Sequence, residues 1–293
     1  MKALLFGEIV WDVIKNKEYL GGALLNMAAH IFRLGGESFL ISAVGKDQRG
    51  NKALKLIKQI GLDDIYIKKL KYPTGWVDVW LDKKGVPDFV INKDVAYDYI
   101  KLNQAELSSL EKENFDVFCF GTLIQRNKIS RDSLYNILGK VKAKEVFYDV
   151  NLRQDFYNKE IISQSLEYST IVKLNDEEIK KMSMLLFSDS LTEEEAVEKL
   201  FNNFKIKVVI ITKGAKGCTV YTSASTVNLP GIRVKVKDTI GAGDAFSAGF
   251  LHKYFFTNDI AESAKFANKL GAYVASQAGA IPEYSQELVK KLG

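Results

Sequence analysis

Short apolar runs at residues 2–6, 39–44, 117–120, 146–148, 171–174 and 208–212 alternate with amphipathic segments at 26–34, 52–60, 104–111, 133–141 and 193–204. Runs this short and this apolar suit strands buried on both faces. Strand and helix alternating over most of a chain means a parallel sheet with helices on both sides, an α/β fold. Two longer helices are predicted at 242–254 and 259–276. The 293 residues are 47% hydrophobic, enough for one large core and too much for disorder. A single domain over residues 1–293 is expected.

Several function classes drop out early. No apolar run approaches the roughly 18 residues of a membrane helix. Residues 1–12, broken by Gly7 and Glu8, lack the length and cleavage site of a secretory signal. Cys119 and Cys218 make neither a disulfide framework nor a metal quartet. His30 and His252 are too few and too isolated for a His-based metal site or triad. A cytoplasmic location fits best. The net charge of +5 is scattered, not striped, so neither nucleic acid nor membrane is an expected partner. A mild positive field still suits a small polyanion.

Residues 65–100 break the rhythm and read as strands and turns without a helix. Trp76-Val77-Asp78-Val79-Trp80-Leu81-Asp82 alternates strictly, with Trp and Asp on one face and Val, Val and Leu on the other. Lys83-Lys84-Gly85 reads as a hairpin turn and 87–91 as the return strand. A small antiparallel sheet inserted in a parallel domain suits a lid over a ligand, a dimer surface, or both. Residues 13–20 and 65–100 are the expected lid, and Trp76 and Trp80 suggest a homodimer through it.

The segment that carries most chemistry is Asp238-Thr239-Ile240-Gly241-Ala242-Gly243-Asp244-Ala245-Phe246-Ser247-Ala248-Gly249. It runs from a β-rich stretch, 232–236, into an apolar-periodic helix. Gly241, Ala242 and Gly243 leave the first backbone N–H groups of that helix unobstructed. Those N–H groups and the positive end of the helix dipole bind anions such as phosphate. Asp244 beside them is expected to be ionised at neutral pH and able to take a proton from an attacking hydroxyl. A Rossmann fingerprint is excluded, because Asp244, Ala245 and Phe246 stand where its third Gly is needed. No stretch supplies a Walker A loop.

This pattern resembles the C-terminal signature of the ribokinase-like, PfkB-type sugar kinases, and the rest of the chain agrees. Gly21-Gly22-Ala23-Leu24-Leu25-Asn26-Met27-Ala28, Arg33-Leu34-Gly35-Gly36 and Val44-Gly45-Lys46-Asp47-Gln48-Arg49-Gly50 resemble the N-terminal signature. Lys173-Leu174-Asn175-Asp176-Glu177-Glu178 is similar to the central Asn-x-x-Glu element. Thr212-Lys213-Gly214-Ala215-Lys216-Gly217 is similar to the nucleotide-side Gly loop. Leu24 departs from the Pro usual in fructokinase-like members, a change of turn stiffness. The resemblance implies a three-layer α/β/α fold with a mostly parallel central sheet and a small inserted antiparallel β lid.

Read physically, the N-terminal residues suit a sugar. Asp12 can accept from two neighbouring hydroxyls, Asn26 offers donor and acceptor, and Gly21 and Gly22 let backbone approach closely. Alternatively, Asp12 is a turn residue and Asn26 a helix cap. Gly45, Asp47 and Gly50 read as the turn and cap leading into 52–60. Arg126 and Arg153 are candidate sugar-pocket residues, with surface salt bridges as the other reading. The resemblance implies ATP contacts at Asn175, Thr212, Lys213, Gly214, Gly217 and Gly243, with Asn268 and Gly271 near the adenine. It implies Mg²⁺ organised through water by Glu178, and K⁺ on backbone carbonyls near Asp238, Ile240 and Gly279.

The implied reaction is phosphoryl transfer from MgATP to a sugar hydroxyl. Asp244 is the base and the amides of Gly241, Ala242 and Gly243 form the anion hole. Fructose is the expected acceptor, because the Gly-Lys-Gly-Ala-Asn variant of ribokinases is missing and many segments resemble fructokinases. An Arg near the acceptor also suits 2-keto-3-deoxygluconate, and a nucleoside is a weaker alternative. A sugar- or nucleotide-binding regulator on the same fold is the reading from another class. The intact Asp244 and anion loop argue against it.

Overall fold

Alternate residues of one strand supply two different cores. Ala3 and Leu5 pack on one side, Leu4 and Phe6 on the other. Val208 and Ile210 divide from Val209 and Ile211 in the same way. Strands of this kind need a helix layer on each face.

The computed structural model describes residues 1–15, 17–81 and 87–293. Its strands are β1 (Lys2–Phe6), β2 (Val10–Ile14), β3 (Lys17–Gly21), β4 (Glu37–Gly45), β5 (Ile67–Leu70), β6 (Gly75–Leu81) and β7 (Pro87–Ile91). Then follow β8 (Asn114–Gly121), β9 (Lys142–Asp149), β10 (Ile171–Asn175), β11 (Val208–Thr212), β12 (Gly217–Thr222) and β13 (Thr226–Pro230). The helices are α1 (Ala23–Arg33), α2 (Gln48–Ile60), α3 (Gln104–Glu111), α4 (Lys128–Leu138) and α5 (Lys159–Tyr168). They continue with α6 (Asp176–Phe187), α7 (Glu193–Asn203), α8 (Ala242–Thr257), α9 (Ile260–Ala275) and α10 (Gln286–Leu292).

The nine-stranded sheet runs β13-β12-β11-β10-β9-β8-β1-β4-β5. It is parallel from β11 to β5, and β12 and β13 turn back antiparallel. Apolar residues of α1, α2, α8 and α9 fill one core, and those of α3 to α7 fill the other. This is the expected three-layer, mostly parallel arrangement. The first turns of α8 are buried without a break from Ala245 to Leu251, so that helix lies inside the protein.

The second sheet is ordered β3-β2-β6-β7. The β6–β7 pair is antiparallel, as expected, and so is β2–β3, but the seam between β2 and β6 is parallel, so the sheet is mixed and not wholly antiparallel. Val10, Asp12 and Ile14, at every second position of β2, face a large cleft together with Val77. Trp76 and Asp78 point the other way, joined by an Nε1–Oδ2 hydrogen bond of 3.0 Å. The sheet is made of fewer residues than 65–100: β5 pairs with β4 at the edge of the large sheet, and residues 96–99 form a 3₁₀ helix. The turn expected at Lys83-Lys84-Gly85, with Asp82, lies outside the described residues.

Two further expectations need correction. The stretch 232–236 forms no strand. Ile232, Val234 and Val236 are exposed, and alternation alone provides no neighbour to pair with. The helix expected at 133–141 begins at Lys128, because the Asn127 side chain accepts the Ile129 N–H at 2.9 Å and caps it. The cap at Asp47 is as expected. Its carboxylate accepts the N–H of Gly50 at 2.7 Å and that of Thr74 at 2.8 Å.

Candidate active site

The parallel strands end on one side, and their carboxyl ends open into a cleft of about 730 Å³. Ligand sites of open α/β sheets lie at this edge. Glu8 follows β1, Leu123 follows β8, Asn151 and Arg153 follow β9, Asn175 ends β10, and Thr212 ends β11. Val10, Ile14, Val77, Phe89 and Ile91 of the small sheet make the opposing apolar wall.

Asp244 lies in the first turn of α8 and lines the cleft with Gly241 and Gly243. Gly241 is the N-cap, with φ of 77°, and a Cβ there would press on Ala280. A side chain would be strained in that left-handed backbone. The cap has no side-chain hydrogen bond, so nothing from residue 241 covers the first amides of α8. The Asn26 Nδ2 donates to Asp244 Oδ2 at 2.8 Å, across 218 positions of sequence. Asn26 is therefore not a cap; Gly22 holds that place on α1, with φ of 124°. The Asn26 Oδ1 is buried without a partner among the described residues, and Asn26 faces the cleft. A buried acceptor of this kind calls for a donor such as a hydroxyl.

The electrostatics correct one expectation. Burial pushes the Asp244 carboxyl up to about 7, with Asp149 and Glu8 adding repulsion against the help of Asn26 and Lys173. Asp244 is thus near its midpoint at neutral pH, where the helix dipole alone would keep it ionised. Burial likewise raises Asp12 to about 6, opposed by the nearby Arg153 charge. Asp12 is a strand residue, and Gly21 leaves room for it: a Cβ at Gly21 would stand 2.9 Å from Asp12 Oδ2. Sequence reasoning missed Glu8. Its carboxyl is 4% exposed, faces the cleft, and accepts the Ala23 N–H at 2.8 Å. Its position directly after an apolar strand was the only signal.

On the far side, Asn175 and Glu178 form a capping box. Asn175 Oδ1 accepts the N–H groups of Glu177 and Glu178, and Glu178 Oε2 accepts the Asn175 N–H at 2.8 Å. Glu178 Oε1 accepts the Leu152 N–H at 2.9 Å. Both residues line the cleft. Among the described residues no cluster of three His, Cys, Asp or Glu could cage a metal. A carboxylate oxygen holds a second lone pair, however, so Glu178 can still accept from water. Asp238 accepts the N–H of Ile240 at 3.0 Å and that of Gly279 at 3.3 Å, which brings those three residues together.

Not every candidate reaches the cleft. Thr212 and Gly214 do. Lys213 turns away to Glu193, 2.7 Å, and Thr219, 2.8 Å. Gly217, with φ of 98°, packs under Leu229 and Pro230 as a turn residue. The Asn268 Nδ2 donates to the Pro230 carbonyl at 2.9 Å, and Gly271 lets α9 pass close to the Ala242 carbonyl. Arg153 lines the cleft, whereas Arg126 does not. The Arg126 guanidinium is buried in an ion pair with Asp98, at 2.7 and 2.9 Å.

Comparison with known proteins identifies the family. The model of the pfkB family carbohydrate kinases matches residues 2–287. Fructokinase of Vibrio alginolyticus is 27% identical over 94% of this chain and 93% of its own. The uncharacterized sugar kinase PH1459 of Pyrococcus horikoshii, solved with ATP, superposes with a TM-score of 0.84 at 27% identity, covering 99% and 97% of the two chains. Fructokinase of Vibrio cholerae O395, solved with fructose, ADP and calcium ion, gives 0.84 at 25% identity over 99% and 98%. The chain belongs to the pfkB family of carbohydrate kinases, phosphotransferases acting on a sugar hydroxyl.

Proposed function

We propose that the protein transfers the γ-phosphoryl group of MgATP to fructose, giving fructose 6-phosphate. One observation carries the reading: the uncapped amino end of α8 and the Asp244 carboxyl meet at the cleft floor beside a buried, unpartnered Asn26 Oδ1. Phosphoryl transfer is mostly positioning and charge stabilisation. Asp244 orients the sugar hydroxyl and takes its proton. The amides of Gly241, Ala242 and Gly243 hold the charge on the group in flight. Asp12, Gly22, Asn26 and Glu8 offer hydrogen bonds to sugar hydroxyls. Asn175, Thr212 and Gly214 face the nucleotide side.

Magnesium fits as an ion held by phosphate oxygens and water, with Glu178 accepting from a bound water; when bound, it neutralises phosphate charge. Asp238, Ile240 and Gly279 supply the backbone for a monovalent cation. The small sheet excludes water as a competing acceptor. Arg153 acts on the Asp12 and Glu8 carboxyls, drawing both down against the rise that burial causes, which supports a neutral sugar over an acidic one.

The test is a coupled ADP-release assay with MgATP against fructose, ribose, tagatose, 2-keto-3-deoxygluconate, adenosine and no sugar, with and without K⁺. Saturable turnover on fructose is expected. Turnover only on the keto-acid sugar keeps the chemistry and moves Arg153 into acceptor recognition. A wild-type enzyme that binds ATP yet is silent on every acceptor overturns the fructose assignment and favours another acceptor or the regulator reading.

The pH profile is a second expectation. The base works deprotonated, so kcat/KM rises with pH through about 7 and flattens above it. A profile flat from pH 5.5 to 8 would remove Asp244 from the role.

A further inference from the structure

Lys173 is a charged side chain in the middle of a buried strand, 8% exposed, and it lines the cleft. It stands in register with Asp149 on the neighbouring strand. Its Nζ lies 3.1 and 3.3 Å from the two Asp149 carboxylate oxygens. Among the described residues that carboxylate has no other hydrogen-bond partner, and its side chain is 1% exposed. On the other side, a Cβ on Gly243 would come within 3.4 Å of Nζ. The ammonium therefore lies against the first turn of α8. Asp149, Glu178 and Asp244 hold its pKa up against burial, so it stays charged. An ammonium has three N–H donors, and Asp149 takes at most two.

We infer that Lys173 is a further catalytic residue, whose remaining N–H binds a non-bridging oxygen of the phosphoryl group in transfer, beside the amides of Gly241, Ala242 and Gly243. The role rests on the kinase reading above. The sugar oxygen bonds to the γ-phosphorus as the bond to the β–γ bridging oxygen breaks. The hydroxyl proton passes to Asp244, and ADP leaves with the electron pair. Lys173 loses no proton; its hydrogen bond strengthens as charge gathers on the group in flight. Asp149 is its positioning residue.

The competing account is that Lys173 only neutralises Asp149. Lys173→Met alone leaves a buried carboxylate unpaired and risks unfolding. The Lys173→Met/Asp149→Asn double variant removes both charges and keeps the volume, and a thermal melt checks its fold. The double variant is expected to lose about 10²–10³-fold in kcat, the cost of one anion-hole donor. Its sugar KM should move less than about threefold, because the contact is to the phosphoryl group and not to the sugar. Near wild-type kcat in the double variant overturns the role. Should wild type turn over no sugar, calorimetry with ATP and ADP still reads the residue. Wild type should prefer ATP, and the double variant should lose that preference through weaker ATP binding alone. The same ATP-to-ADP ratio in both proteins, or no nucleotide binding by wild type, overturns the role.

Discussion

Asp244→Asn is expected to cut kcat by about 10²–10⁴-fold while ATP binding persists. The amide keeps the shape of the carboxyl and can still accept from Asn26, so the loss is that of the proton acceptor alone. The same substitution should stabilise the protein. Burial lifts the Asp244 carboxyl from an ordinary value near 3.8 to about 7. Below pH 4 it is protonated both folded and unfolded, and its burial costs nothing. Between pH 4 and 7 the unfolded chain releases the proton more readily, so wild type loses stability as pH rises. The asparagine variant escapes that loss. Asp244 keeps some contact with solvent, so the gain is on the order of 2 kcal/mol at pH 8, a few degrees in Tm, and is near zero at pH 4. Thermal melts at both pH values with steady-state kinetics measure the pair. A variant both active and unchanged in Tm would remove Asp244 from catalysis and from strain.

The large sheet was legible because its strands are buried on both faces. Ala3, Leu4, Leu5 and Phe6 are all apolar, since two cores take them in turn. The signature around Asp244 was legible because an exposed helix terminus needs small residues in sequence. What escaped was pairing between distant segments. Residues 13–20 were expected in the lid, but the pairing of β2 with β6 was hidden, because Val10-Trp11-Asp12 looks like the end of a strand until Gly75-Trp76-Val77 lies beside it. The stretch 232–236 alternates like a strand and stays unpaired. Lys173 interrupts an apolar run with no local hint of Asp149, 24 positions earlier. Local patterns report which surface a residue wants, and only the fold supplies the partner.

Arg126 shows the same lesson with a measurable consequence. Its segment resembles those of fructokinases and made it a sugar-pocket candidate, yet its side chain is 5% exposed and that of Asp98 is 2%. Nε and Nη2 grip the two Asp98 oxygens at 2.7 and 2.9 Å, and Nη2 also donates to the Asn92 carbonyl at 2.6 Å. The guanidinium lies 4.8 Å from the Tyr97 ring centre and 4.7 Å from that of Phe156. It thus ties the chain just after β7 to the loop after β8. Arg126→Met would strand the Asp98 carboxylate in the interior, which costs about 3–5 kcal/mol. In a chain of this size that is a fall in Tm on the order of 6–10 °C. Adding Asp98→Asn removes the stranded charge and should recover most of the loss. The sugar KM of the folded fraction should stay near wild type, because the guanidinium is outside the cleft. A tenfold rise in KM with an unchanged melt would return Arg126 to the sugar site and make the ion pair incidental.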